Sequence, residues 1–204
     1  MVIGLSGKIR SGKSRVAKIF KEVLEENGKT CEVKSFASPI YEIVSKLYRT
    51  NIKEIQKDKR DNVPIYIHTR KSNSGLVLSN YREILQMIGT TARDCGDENV
   101  WVNSLFGCEN EKIMGEFTWA TDYWIIDDVR FPNEAQRILD CNGKLIRINR
   151  PDADDNKHII ENSLNDWDKW DLVIENNQKS KKKRNKELTK TVKEFLGVQN
   201  ENGN

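Results

Sequence analysis

Eight residues near the amino terminus, Gly7-Lys8-Ile9-Arg10-Ser11-Gly12-Lys13-Ser14, have the spacing GxxxxGK[ST]. Glycines in such a loop let backbone N–H groups turn inward on phosphate oxygens, and the helix that follows points its positive dipole end at them. Lys13 then meets the β- and γ-phosphates, and Ser14 offers a hydroxyl to Mg²⁺, which together neutralise the charge that phosphoryl transfer must handle. Chance would place this pattern in a chain of 204 residues on the order of once per hundred sequences, and fewer would set it between a strand and a helix. Gly7, Arg10, Ser11, Gly12, Lys13 and Ser14 are therefore the candidate set for the phosphates of ATP or GTP.

A second acidic element, Asp127-Asp128, ends the apolar run Trp124-Ile125-Ile126. Asp127 or Asp128 could hold Mg²⁺ through water; their alternative role is to cap the helix that begins near Asn133. Arginines matter because the moving phosphoryl group spreads negative charge over its oxygens, which planar guanidinium groups clamp bidentately. Arg10, Arg60, Arg82, Arg93, Arg130 and Arg150 are the candidates. Arg130 stands out, two residues past Asp128 at a strand's carboxyl end, the edge where ligands bind in open α/β sheets. Arg82 and Gln86 lie one helical turn apart, with Gly89 permitting close approach and Trp101 following, a set suited either to a base and its phosphate or to an ordinary amphipathic helix with a core tryptophan.

These residues need elements to position them. Val2-Ile3-Gly4-Leu5 reads as a buried parallel strand feeding the loop, and Val16, Ile19, Phe20, Val23 and Leu24 recur at helical spacing until Asn27-Gly28 stops the helix. A second strand is expected in Cys31 to Phe36. Ser38-Pro39 then opens a helix with a cap and a proline at its first position, with Ile40, Ile43, Val44, Leu47 and Tyr48 as its buried stripe. Thr50 to Ser79 has weak periodicity and reads as a long irregular segment covering the substrate or moving as a loop. Helices are predicted at Tyr81 to Arg93, Asn99 to Phe106 and Asn133 to Leu139, and strands at Tyr123 to Asp128, Leu145 to Ile148 and Leu172 to Ile174. The alternation predicts an α/β fold with a parallel sheet covered on both faces. The basic run Lys179 to Lys186 precedes a last helix, Leu188 to Leu196, and reads as a solvated approach to it.

Bulk properties narrow the function classes. Thirty-four Lys and Arg against 31 Asp and Glu leave a net charge of +3, no general reason to expect nucleic acid. Cys31, Cys95, Cys108 and Cys141 are widely spaced without a metal-site pattern, and read as reduced, mostly buried thiols. No apolar run reaches membrane-spanning length, and the chain enters a strand without a leader-like start, so a soluble cytoplasmic protein of one domain is expected, with no membrane partner.

From the first strand to about Asn177 the chain resembles the phage deoxynucleoside monophosphate kinases. The resemblance rests, in order, on Leu5-Ser6-Gly7 through Lys13, Phe36-Ala37-Ser38-Pro39-Ile40, Arg82 through Thr90, Asp128-Val129-Arg130-Phe131-Pro132-Asn133-Glu134, His158-Ile159-Ile160-Glu161, and Asp171 through Asn176. It implies a three-layer P-loop kinase fold with a central parallel sheet, an acceptor-binding helical segment over 50–106, a lid over 152–165, and a basic run with a last helix over 179–204. It implies that ATP with Mg²⁺ donates its γ-phosphoryl group to a deoxynucleoside 5′-monophosphate. By position, Gly12, Lys13 and Ser14 would bind ATP and Mg²⁺, while Arg82, Trp101, Asp128, Arg130 and Glu134 would surround the acceptor. Lys13, Arg130 and Asp128 form the catalytic set, Arg82 or Arg93 helps hold the acceptor phosphate, and Ser14 and Asp127 form the metal set. Ile160 departs from the Ser or Thr common in the family two residues after the histidine. The rival readings are a dephospho-coenzyme A kinase-like enzyme and a nucleic-acid-dependent ATPase; a homodimer is left open.

Overall fold

The computed structural model describes residues 1–68, 76–107, 120–151, 163–178 and 180–198. The chain divides into two compact units, one made of Met1–Ser35 with Asn110–Asn204, the other of Phe36–Glu109.

The first unit is built on a five-stranded parallel sheet of order β2-β5-β1-β6-β7. Its strands are β1 (Val2–Ser6), β2 (Cys31–Lys34), β5 (Tyr123–Val129), β6 (Lys144–Asn149) and β7 (Leu172–Glu175). Ile3 and Leu5 alternate onto one face and pack with Ile125, Ile146, Ile148 and Ile174 against α1 (Lys13–Glu26) and the last helix, α7 (Lys181–Leu196). Val16, Ile19, Phe20, Val23 and Leu24 all become buried, as their spacing predicts. On the other face lies α6 (Pro132–Asp140), approaching so closely that a Cβ on Gly4 would sit 2.6 Å from Ile138 Cδ1. A helix there needs glycine on β1. This is the α/β, three-layer arrangement read from the sequence.

Because every strand runs the same way, all five carboxyl ends share one edge, and β1 lies at the point where the strand order reverses. The loop 7–12 leaves β1 there, beside the ends of β5, β6 and β7.

The second unit holds α2 (Ser38–Tyr48), α3 (Ile52–Asp61), an antiparallel pair β3 (Pro64–His68) and β4 (Leu76–Asn80), α4 (Tyr81–Cys95) and α5 (Val100–Phe106). The segment 50–79, expected to be irregular, instead forms a helix and two strands in its described part. Asn51 Oδ1 caps α3 by accepting from Glu54 N at 2.9 Å, and Asn80 Oδ1 caps α4 by accepting from Glu83 N at 3.0 Å. The stripe expected on α2 is narrower than its spacing suggested: Ile40 and Val44 are buried, but Ile43 is 40% and Leu47 67% exposed.

Two further expectations change. The basic run is not an approach to the last helix, since α7 begins at Lys181 and contains most of it. Of the three described cysteines only Cys31 is buried; Cys95 is exposed and Cys141 half-buried. No helix among the described residues is long and apolar enough to cross a membrane.

Candidate active site

The phosphate-loop backbone has the conformation its glycines permit. Gly7 has φ of 154° and Gly12 of 106°, while Arg10 occupies the left-handed region at 65°. A Cβ on Gly7 would lie 2.4 Å from the Ile148 carbonyl oxygen, so the loop presses directly on β6. Gly12 is the residue from which α1 springs, and neither a capping side chain nor a first-turn acid serves that helix start. No side-chain cap or acid thus competes at that start, where the helix dipole favours an anion.

Lys13 Nζ donates to the Gly7 carbonyl and, at 3.0 Å, to the Lys8 carbonyl, so the ammonium lies over the loop. One residue on, Ser14 Oγ donates to Asp127 Oδ2 at 3.1 Å, joining the two elements that spacing alone left 113 residues apart. Asp128 faces a different partner, accepting from Ser35 Oγ at 2.6 Å. Both carboxylates sit at an irregularity in β5: Gly4 pairs with Ile126 but Ser6 with Val129, so β5 carries one extra residue there. Burial first, and the Asp128 carboxylate second, push the Asp127 carboxyl above its ordinary value, against the Ser14 hydrogen bond and the Lys13 charge. Two half-buried carboxylates with a serine hydroxyl on one of them are oxygen donors of the kind a hard, hydrated cation takes, and Mg²⁺ takes one or two carboxylates while keeping waters. Among the described residues no group of three or more His, Cys, Asp or Glu could enclose a metal.

Arg130 follows β5 and is half-buried. Its backbone N–H donates to Glu134 Oε2 at 2.7 Å, and Phe131 N donates to the same oxygen at 3.1 Å. Glu134 is 2% exposed and closes the start of α6 from the N3 position, its carboxylate reaching back to the N-cap backbone while Phe131 has no side-chain acceptor to reciprocate. The structure therefore gives Glu134 backbone partners within its own turn.

The other acceptor-side candidates lie in the second unit. Arg82, Gln86, Gly89 and Arg93 fall at helical positions i, i+4, i+7 and i+11 of α4, within one narrow sector. Arg82, Gln86 and Arg93 are half-buried, and Gly89 is buried, with a would-be Cβ 3.1 Å from Ile40 Cδ1. Trp101 is 4% exposed and donates its indole N–H to the Gly89 carbonyl at 3.0 Å, which pins α5 to α4. His158, Glu161 and the 152–162 part of the expected lid lie outside the described residues.

Two residues at this edge have no role in the sequence reading, although Asn176 closes one of its motifs. Arg147 on β6 donates to Ser6 Oγ at 3.3 Å and to Asn165 Oδ1 at 3.4 Å, with its guanidinium 5.6 Å from the Trp170 ring centre. It lines a cavity of about 250 Å³ with Lys8, Asn149, Arg150 and Glu175, and Arg150 also reaches the Arg10 carbonyl at 3.4 Å. Asn176, immediately after β7, is 4% exposed and donates to the Ser11 carbonyl at 2.7 Å. A charge inside the apolar run Leu145 to Ile148, and an amide directly after an apolar strand, were the available signals.

No family model matches the chain. The chain is 29% identical, over 194 residues, to a protein of Acanthamoeba polyphaga mimivirus that bears the name "Putative deoxynucleotide monophosphate kinase"; the match spans 87% of this chain and 89% of that one. Among solved structures, the crystal structure of APE1195 overlays on 96% of each chain with a TM-score of 0.36 at 15% identity, too slight a likeness to argue from. The relative is viral rather than a phage protein, which widens the resemblance read from the sequence. Similarity over most of both chains supports a kinase-like protein.

Proposed function

We propose that this protein is a deoxynucleoside monophosphate kinase that moves the γ-phosphoryl group of ATP to a deoxynucleoside 5′-monophosphate. The observation that carries the reading is the Ser14 to Asp127 contact at the uncapped start of α1, with Lys13 over the same loop. The mimivirus protein's name supports the acceptor class.

In this reading an acceptor phosphate oxygen attacks the γ-phosphorus in line, forming one P–O bond as the bond to the β–γ bridging oxygen of ATP breaks. The acceptor phosphate is already ionised near neutral pH, so no strong base is needed and catalysis is positioning with charge stabilisation. Lys13 exchanges the Gly7 and Lys8 carbonyls for the β- and γ-phosphates. Ser14 and Asp127 would hold Mg²⁺, which when bound would supply charge neutralisation on those phosphates. Arg130, fixed by the Glu134 cap, clamps the acceptor phosphate with Asp128 beside it. Arg82, Gln86 and Arg93 offer the guanidinium and amide groups that an acceptor base and phosphate require. The cavity lined by Lys8, Arg147 and Arg150 is assigned to the donor's ribose and base.

A panel of acceptors tests the reading. Purified protein with MgATP should convert at least one deoxynucleoside monophosphate to its diphosphate. Phosphorylation of dephospho-coenzyme A alone, or ATP hydrolysis stimulated by DNA or RNA without any diphosphate formed, would replace it with one of the two rivals.

A further inference from the structure

Asn176 belongs to none of the roles assigned above, yet it is buried at the sheet edge with both its backbone and its side chain engaged. Its backbone N–H donates to the Asn149 carbonyl at 2.8 Å, which continues the β6–β7 ladder one residue beyond β7 and fixes where the side chain starts. The side-chain amide then donates to Ser11 O at 2.7 Å in a buried contact between residues 165 positions apart. A Cβ on Gly12 would fall 2.5 Å from Asn176 Nδ2. The amide therefore fills the space that any other residue at position 12 would need.

The geometry of one peptide unit turns this contact into a function. The Ser11–Gly12 peptide is planar and trans, so its C=O and the Gly12 N–H point in opposite directions. Holding the Ser11 carbonyl toward the end of β7 directs the Gly12 N–H away from it. That N–H belongs to the uncapped start of α1, where an anion would sit. Asn176 Oδ1 and Ser11 Oγ are both buried without a hydrogen-bond partner among the described residues. An apolar side chain of similar size would fill the space without that unpaired oxygen, so the feature that an asparagine supplies here is its N–H donation.

We infer that Asn176 is a positioning residue for the phosphate loop: by anchoring the Ser11 carbonyl, it aims the Gly12 N–H at the triphosphate and ties the far strand of the sheet to the donor site. The inference rests on the loop binding ATP, as proposed above.

The test uses two variants of the full chain. Asn176→Asp is isosteric, and its carboxylate cannot donate to a carbonyl. Asn176→Ser removes the amide without adding charge. MgATP and inorganic tripolyphosphate are titrated into each by calorimetry, with thermal melting in parallel and the acceptor KM measured at saturating ATP. Both variants should bind MgATP and tripolyphosphate on the order of tenfold or more weaker, the loss expected for a misdirected buried donor, while the acceptor KM stays within twofold. A folded variant that binds both ligands within twofold of wild type overturns the inference. So does a loss for ATP with tripolyphosphate unaffected, because Asn176 would then serve the base and not the phosphates. Should neither variant fold, the ¹H–¹⁵N spectrum of the wild type decides: the Gly12 amide must move downfield with tripolyphosphate, and an unmoved Gly12 amide refutes it. Wild type that binds MgATP but phosphorylates no nucleotide removes the proposed function and leaves this inference standing. Wild type that binds neither ligand removes both.

Discussion

Removing the Glu134 carboxylate should unseat the turn that carries Arg130, and the size of the effect follows from its surroundings. Glu134 is 2% exposed, and its Oε2 accepts from two backbone N–H groups, Arg130 at 2.7 Å and Phe131 at 3.1 Å. Hydrogen bonds to a charged group are worth about 1.5–3 kcal/mol each, and loss of a helix cap about 0.5–2 kcal/mol, with the two overlapping here. Glu134→Ala, which also leaves two N–H groups without their acceptor, should therefore destabilise by about 3 kcal/mol. In a chain of this length that lowers Tm by about 6–12 °C. Glu134→Gln keeps a carbonyl oxygen in place and loses only the charge, so about 1 kcal/mol and about 2–4 °C are expected. Thermal melting followed by far-UV circular dichroism reads both. Below the melt, Glu134→Gln should turn over near the wild-type rate. A Glu134→Ala variant melting within about 2 °C of wild type would refute the capping argument. A Glu134→Gln variant with unchanged Tm but a tenfold or greater loss of kcat/KM would show instead that the carboxylate meets the acceptor.

Four further outcomes are expected. Arg130→Ala should raise the acceptor KM at least tenfold while MgATP affinity stays within twofold; equal loss of both would remove Arg130 from the acceptor phosphate. Asp127→Asn should raise the Mg²⁺ concentration for half-maximal activity about tenfold, and an unchanged Mg²⁺ dependence would remove Asp127 from the metal set. Iodoacetamide at pH 8 should alkylate exposed Cys95 well before Cys31, whose thiol is pushed up to about 11 by burial. The same shift means that between pH 9 and 11 the unfolded chain loses this proton and the folded one keeps it, so stability should fall as pH rises through that window. Equal labelling rates for the two thiols would contradict the burial of Cys31.

How much of this was legible in the sequence depended on whether a residue's role was local. The strand–loop–helix around Lys13 was readable because β1 is apolar from Val2 to Leu5 and α1 buries six residues at helical spacing. Helix α3 was not, because only Ile55 among its ten residues is buried and no stripe could form; its signal was the cap, Asn51 with Glu54 three residues on. The β3–β4 pair was hidden by the polar stretch between its strands. The apolar positions of α2 overstated its buried face, since periodicity records which side could be covered and not how widely a neighbour covers it. At the site, Asp127 was singled out by its place at a strand end, but its contact with Ser14 depends on the parallel β1–β5 pairing. Arg147 and Asn176 were missed for that reason too: their partners, Ser6 and Ser11, lie 141 and 165 residues away.

Transfer of label from [γ-³²P]ATP is the most direct test of the central claim. With Mg²⁺ and each of the four common deoxynucleoside monophosphates in turn, the wild-type protein should yield labelled diphosphate and ADP in equal amounts for at least one acceptor. Lys13→Ala should yield none while melting like wild type. Labelled inorganic phosphate with no labelled nucleotide from any of the four would contradict the account.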